Sequence, residues 1–482
     1  MELVKQSTLY VFARGIPGLV NLLAIALFTR LYNANDYGRY VLVLSTIALV
    51  NAILFQWLRL GLLRFMTVYR EQRETFLATI LAGFIAITGI SAVMACMLMI
   101  FFMDSISPWL LLFGLLMLWL EAFFELNQEL ARSELSPRRY GLFALLRTLT
   151  LLAVGGFLGY LGFGAYGLLS GAVVSMALPV SIQLRSNFGA IKNLTVDREI
   201  LLQLYRYGLP LTATFALGYV VSSSDRLLIG WLLGPRETGL YAVGYDLAKQ
   251  GIGIMLTIIN LAAYPLAVNA LEREGVAGAR QQLEQNLLLI LAVVCPVTTG
   301  LSLLAPNICH VLIGSEFRET AAQLIPWVAF GSMLAGIKAF YFDLSFQLGR
   351  RTLGQVWVVL IAALVNFFLN LWWIPMWGLM GSAYATAAAY GVALLMSWRL
   401  GRDIMALPLP LLNMVKILFA TIVMSLALFP IRHFLGVAEL VGQILLGAMI
   451  FAIMLWVMNI ASIRSRMPLR SCRSFLFLWL KN

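Results

Sequence analysis

The sequence predicts an all-α, polytopic membrane protein. It should have about fourteen transmembrane helices, arranged as two parallel six-helix lobes around a central cavity, with two further helices toward the C-terminal end. Three observations predict this. Apolar runs of about 20 residues, the length a helix needs to cross a bilayer, recur along the whole chain. The composition is 61% hydrophobic and 12% charged, whereas a soluble domain is nearer half apolar and a quarter charged. Short motifs also recur, in the same order and at nearly one offset, in the two halves of the chain.

The expected spans run roughly over residues 8–30, 40–62, 75–102, 108–131, 141–160, 165–185, 207–233, 240–264, 284–312, 323–347, 355–375, 380–399, 413–430 and 438–461. No small-residue cleavage site follows a short apolar core near the start, so the first run is expected to stay as a helix and not leave as a signal peptide. Of the 34 Lys and Arg, five (Arg30, Arg39, Arg236, Arg318, Arg432) fall in one alternate set of loops and six fall within spans. All the rest lie in the other set of loops and ends. Positive charge stays on the cytoplasmic side, so both termini are expected there. The net charge of +12 is then a topology signal and needs no nucleic-acid partner. The basic tail, 462–482, reads as an anchor that favours anionic lipid.

The loops are too short for an extramembrane catalytic domain, which argues against an enzyme. Two histidines and four scattered cysteines (Cys96, Cys295, Cys309, Cys472), with no CxxC pair, make a metal site or a disulfide framework unexpected. No cofactor is expected.

The repeat organises the chain. "NDYGRY" (35–40) follows the first span and "RETGLY" (236–241) follows the seventh. "ELNQELAR" (125–132) ends the fourth span and "DLSFQLGR" (343–350) ends the tenth; "GAYG" (164–167) opens the sixth and "GLMG" (378–381) the twelfth. A duplicated six-helix unit explains all three. Six is even, so the copies share one orientation, as in parallel-repeat transporters. The expected divisions are an N-terminal lobe over 1–206, a second lobe over 207–402, two added helices over 403–461, and the tail.

Charges at membrane depth cost about 2.5–3.5 kcal/mol each by insertion scales, so they face protein or water. The inner half holds Arg14, Arg59, Arg147, Lys338, Glu125, Glu129 and Asp343, with Glu121 near the middle. The cations suit an anion, and the planar arginine fork matches phosphate oxygens bidentately. The alternative for Arg14 and Arg59 is snorkelling to the inner headgroups. The outer half holds Asp225, Arg226, Asp246 and Lys249, read either as ion pairs for gating and lobe packing or as substrate or ion contacts. Asp246 and Lys249 are spaced to pair on one helix.

In "EAFFELNQELAR" (121–132), three glutamates at four-residue steps share a helical face. The repeat separates them. Glu125 has Asp343 as its mate, Glu129 has Gln347 and Glu121 has Ala339, so the three are not expected to form one site. Glu125 and Asp343 read either as a gate or titratable pair, or as stabilising partners of Arg147 or Lys338.

Two stretches carry a family resemblance. "LFTRLYNANDYGRYVLVLSTIALV" (27–50) resembles the first-loop signature of the polysaccharide repeat-unit (O-antigen-type) flippases, within the multidrug/oligosaccharidyl-lipid/polysaccharide exporter superfamily. "SSSDRLLIGWLLGPRETGLYAVGYDLA" (222–248) resembles its second-lobe counterpart. The resemblance implies a V-shaped exporter that flips an undecaprenyl-diphosphate-linked oligosaccharide from the cytoplasmic to the periplasmic leaflet. It implies a cationic cavity for the pyrophosphate and acidic sugars, which Arg14, Arg59, Arg147, Arg226 and Lys338 would fit. Of these, only Arg226, with Asp225, stands at a motif position. H+ or Na+ is the implied coupling ion, and membrane lipids and other glycan-assembly membrane proteins are the implied partners. Two alternatives remain. One is a multidrug-type exporter of organic cations using Glu125, Asp343 and Asp246; the other, disfavoured by the short loops, is a membrane-embedded glycan-processing enzyme.

Overall fold

The computed structural model describes residues 2–101, 108–189, 191, 196–349, 351 and 353–460, with no strand among them. The basic tail expected as an anchor lies outside the described residues. Helices α1 (Glu2–Leu31), α2 (Ala34–Leu54), α3 (Gln56–Phe65), α4 (Arg73–Phe101), α5 (Pro108–Ser133), α6 (Pro137–Tyr160) and α7 (Gly164–Gln183) come first. Then follow α8 (Arg198–Leu232), α9 (Pro235–Leu303), α10 (Ala305–Leu312), α11 (Ser315–Ile337), α12 (Leu344–Leu348), α13 (Leu353–Arg402), α14 (Leu411–Leu428) and α15 (Val437–Val457). Ten helices of the described residues are long and apolar enough to cross a membrane. Two of them are broken inside, α9 at Gly275 (φ 68°) and α13 at Gly378 (φ 58°). With those taken as two crossings each, and α2 with α3 as one, the helices match all fourteen expected spans. The protein is an all-α, multi-pass membrane protein.

One expected span and one expected loop have a different shape. The run 40–62 is two helices, because the chain turns at Phe55 (φ −107°, ψ −14°) before Gln56 restarts the helix. The expected inner loop near 265–283 is helical almost throughout, since α9 stops only at Gly275. Its "NALEREGVAGARQQLEQN" is rich in Ala, Leu, Glu, Arg and Gln, the strong helix formers.

Contacts divide the chain into two compact units. One holds Met1–Gly244, Ile313–Thr320 and Val359–Ala389; the other holds Tyr245–Leu312, Ala321–Val358 and Tyr390–Asn482. In the first unit α6 packs on α1 and α7, α8 on α2 and α3, and α5 on α7. Asn33 caps α2: its Oδ1 accepts from the Asp36 amide at 2.8 Å while its Nδ2 donates to Asp36 Oδ2 at 2.8 Å. The two side chains thus satisfy an orphan helix-end donor together. Glu316 reinforces the same end, accepting from the Ala34 amide at 3.0 Å and pairing with Arg236 at 3.4 Å.

The repeat is visible in the backbone. A Cβ on Gly38 would stand 1.7 Å from the Pro235 carbonyl oxygen, and one on Gly239 would stand 2.2 Å from the Ala34 carbonyl oxygen. Pro235 and Gly239 are the repeat mates of Ala34 and Gly38, so the first turns of α2 and α9 meet through the same two residues on each side. Glycine is required there because backbone touches backbone. The third motif pair agrees: Gly164 and Gly378 both take a left-handed φ, 55° and 58°, where a side chain would be strained.

In the second unit, α15 packs on α14 and α10. Asn307 Nδ2 donates to Gln443 Oε1 at 2.9 Å, and Gln443 Nε2 donates to the Ile431 carbonyl at 2.7 Å. These bonds tie the chain just beyond α14 to both neighbouring helices.

Candidate functional site

The fourth expected span builds the site. On α5, Ala122, Phe123, Leu126 and Leu130 are buried, and Glu121, Glu125 and Glu129 are each half-buried on another face. That face borders a cavity of about 500 Å³ in the first unit. Its wall is Pro17 and Asn21 from α1, Tyr40 from α2, Arg59 from α3, Phe124, Glu125, Gln128, Glu129 and Arg132 from α5, and Tyr140, Ala144, Arg147, Thr148 and Leu151 from α6.

Each glutamate holds an arginine. Glu125 pairs with Arg59 and also accepts from Asn51 Nδ2 at 2.7 Å. Glu121 takes Arg147 through both oxygens, at 2.9 and 3.1 Å. Glu129 takes Arg132, one helical turn on, at 2.7 and 2.9 Å. Arg59 also donates to Gln56, and the Arg147 guanidinium lies 4.9 Å from the centre of the Phe124 ring, a cation–π contact. Glu125 and Glu129 line the cavity, while Glu121 meets it through its partner Arg147. Glu125 is paired with Arg59, a partner not foreseen. Three guanidiniums face three carboxylates, so the formal charge of the set is zero.

Arg59 is the most enclosed of the set, its side chain 9% exposed against 36% for Glu125. That burial holds the Arg59 guanidinium within the protein. Its Nε, the Gln128 Oε1 and the Asn51 Oδ1 are buried with no partner. Such atoms are rare in finished structure, and two of them, on Arg59 and Gln128, belong to residues that line the cavity.

Among the described residues four charged side chains are buried: Arg59, Asp225, Lys338 and Asp343. Asp225 lies in the first unit, 1% exposed. It accepts from the Tyr241 hydroxyl at 2.6 Å and from the Arg226 amide at 2.9 Å. Tyr241 is the mate of Tyr40 in the repeat, and Ser382 lies beside its hydroxyl. The same unit buries Asn366, Asn370 and Thr386, linked by Asn366 Nδ2 to Thr386 Oγ1 at 3.2 Å and Asn370 Nδ2 to Asn366 Oδ1 at 3.1 Å. Arg226 is half-buried.

Lys338 and Asp343 lie in the second unit. Lys338 opens a π turn, Lys338–Phe342, a feature common at functional positions. The extra residue in the turn lets Lys338 Nζ reach Asp343 Oδ2 at 2.6 Å. Ser397 Oγ donates to Oδ1 at 2.7 Å and Gln355 Nε2 to Oδ2 at 3.2 Å. Asp246 and Lys249 are half-buried in the same unit, where the Lys249 ammonium lies 5.1 Å from the Tyr245 ring centre. The Arg14 side chain lies outside the described residues.

Residues 27–322 match the family described as polysaccharide biosynthesis protein. The chain belongs to that family. Among its relatives, the amylovoran biosynthesis protein AmsL of Erwinia amylovora is 22% identical over 169 residues. That match takes in 35% of this chain and 43% of AmsL, so it spans less than half of that relative's length. By structure, the chain is similar to the lipid II flippase MurJ in its inward closed conformation. The TM-score is 0.78 at 15% identity, covering 95% of this chain and 100% of that one. It is also similar to an inward-facing multidrug resistance MATE family transporter of the MOP superfamily. There the TM-score is 0.60 at 15% identity, covering 82% of this chain and 97% of the other. At such identities the likeness is one of fold. The fold neighbours are a flippase and transporters, not enzymes.

Some contributors carried no sequence signal strong enough to single them out. Asn51 and Gln128 are ordinary polar residues at helix depth. Asn366 and Asn370 did carry one: two asparagines four apart in "VNFFLNLWW" cannot both face lipid.

Proposed function

We propose that this chain carries an undecaprenyl-diphosphate-linked oligosaccharide repeat unit from the cytoplasmic to the periplasmic leaflet of a bacterial inner membrane, with both termini cytoplasmic. The observation that carries the reading is the convergence of Arg59 and Arg147, from α3 and α6, on one cavity of about 500 Å³. Two guanidinium forks suit the two phosphates of a diphosphate. Glu125, Glu129, Gln128 and Tyr140 beside them supply the acceptors and donors that sugar hydroxyls need. The family supports the pathway class, and the fold likeness to a lipid flippase supports the act of flipping. The duplicated six-helix halves supply the moving parts, 1–206 against 207–402, as in parallel-repeat transporters. An ion gradient is the proposed drive, with the buried Asp225 and the Lys338–Asp343 pair as coupling or gating groups.

Complementation of a null strain tests the reading. The null should accumulate lipid-linked oligosaccharide in the cytoplasmic leaflet. The wild-type gene should clear it, and Arg59→Ala and Arg147→Ala, at equal membrane abundance, should not. A null with no such accumulation that becomes sensitive to cationic dyes refutes the flippase reading in favour of a multidrug-type exporter, whose cargo would be held by the cavity glutamates.

A further inference from the structure

We propose that the glutamates of α5 are resident counter-ions, and that a diphosphate entering the cavity takes an arginine from its glutamate, which then takes up a proton. The inference rests on the cavity being the diphosphate site, and it assigns a regulation that site would have. Among the described residues that line the cavity, every guanidinium is already claimed. Arg59 is held by Glu125, Arg147 by both oxygens of Glu121, and Arg132 by both oxygens of Glu129.

A diphosphate, with two linked charged phosphates that can each meet an arginine fork, can outcompete single carboxylates for those arginines. The displaced carboxylate is then left in a half-buried site with two other carboxylates on its own helix face. Both lost solvation and like charge disfavour leaving it ionised there. One O–H bond forms at the carboxylate, the proton comes from the aqueous solution, and no bond of the phosphate breaks.

Asn51 is built for both states of Glu125. Its Nδ2 now donates to the carboxylate at 2.7 Å, while its buried Oδ1 has no partner. Turning the amide over would present that oxygen to a protonated Glu125. The other groups facing Glu125 are Arg59 and Gln56 on α3, Tyr40 on α2, and Arg147 and Tyr140 on α6. On its own helix stand Glu121, Gln128, Glu129 and Arg132, and on α8 stand Tyr219, Asp225 and Arg226, with Tyr219 within electrostatic reach of Glu121, Asp225 and Arg226.

The sign follows from linkage. If binding takes up a proton, affinity rises as pH falls. The change is about tenfold per pH unit per proton, over the range in which the glutamate is ionised in the free protein and protonated in the complex. The test is calorimetry of the full chain in nanodiscs with farnesyl diphosphate, in two buffers of unlike ionisation heat. It is run above pH 7.5, where the phosphates, with a second pKa of about 6, are fully ionised. Wild type should take up one to two protons per bound diphosphate. Glu125→Gln should take up one fewer and bind at least tenfold more tightly at pH 8; Glu121→Gln should do the same through Arg147. Wild-type binding with no proton uptake overturns the inference and leaves the flippase reading standing. Binding that survives both Arg59→Ala and Arg147→Ala, or no binding by wild type or any variant, overturns the cavity reading as well.

Discussion

Replacing Gly38 by alanine probes the repeat contact directly. The new Cβ would lie 1.7 Å from the Pro235 carbonyl oxygen and 2.6 Å from its carbon, against the 3.4 Å at which ordinary contact begins. Both obstructing atoms are backbone, so no rotamer change relieves them, and the first turns of α2 and α9 must part by more than an ångström. Overpacking of this kind costs about 1–3 kcal/mol. The backbone origin of the clash puts Gly38→Ala at the upper end, less about 1 kcal/mol from the better helix propensity of alanine. A net loss of about 2 kcal/mol is expected, and a similar one for Gly239→Ala, whose Cβ would meet the Ala34 oxygen at 2.2 Å. Both substitutions open the same gap, so the double variant should cost clearly less than the sum. Thermal unfolding of the detergent-solubilised protein, followed by tryptophan fluorescence, reads all three. Gly89→Ala and Gly253→Ala, where a Cβ meets nothing within 4 Å, serve as controls that should hold or raise Tm. A Gly38→Ala protein as stable as these controls, or strict additivity in the double variant, refutes the reciprocal contact.

Three further outcomes are expected. Asp343→Ala strands a buried ammonium and should cost about 3–5 kcal/mol; joining it to Lys338→Met should recover most of the loss, read as Tm. Tyr241→Phe removes a hydrogen bond to a buried carboxylate and should cost about 1.5–3 kcal/mol, with transport falling further if Asp225 couples an ion, measured in proteoliposomes with and without a sodium or proton gradient. Exchanging the charges of one cavity pair, Arg147→Glu together with Glu121→Arg, should keep Tm within a few degrees, because the pair is re-formed, yet abolish complementation, because the cation over Phe124 is lost from the cavity wall.

The fold was legible because membrane insertion writes it as length and apolarity. A crossing helix must be a run of about twenty apolar residues, and each of the fourteen runs is helical over its described residues, the run 40–62 with a break at Phe55. The short motifs at matched offsets were legible for a different reason: Gly38 with Gly239, and Gly164 with Gly378, are positions only glycine fills without strain. Side-chain pairing was less so. Helical spacing shows that Glu121, Glu125 and Glu129 share a face and that Arg132 is one turn from Glu129, but the arginines met by Glu121 and Glu125 depend on how α6 and α3 pack on α5. The pairing of Glu125 with Arg59, not with Arg147 or Lys338, is therefore invisible along the chain. The π turn at Lys338 has no sequence rule either, and it is what brings Lys338 onto Asp343. Depth does identify the expensive charges: Arg59, Asp225, Lys338 and Asp343 all stand out by position in a span alone.

The meeting of α2 and α9 has a consequence for descent. Each side of that contact is a copy of the other: Ala34 and Gly38 on one helix, Pro235 and Gly239 on the next. A surface that fits its own duplicate is what a symmetric pair of identical chains uses. One six-helix ancestor with this patch could associate with a second copy before the two were joined, so the duplication needed no new interface. Once joined, the two halves were free to differ around the patch. They keep the glycine and an acid two residues before it, Asp36 in one and Glu237 in the other, while Asn35 stands against Arg236 and Arg39 against Leu240.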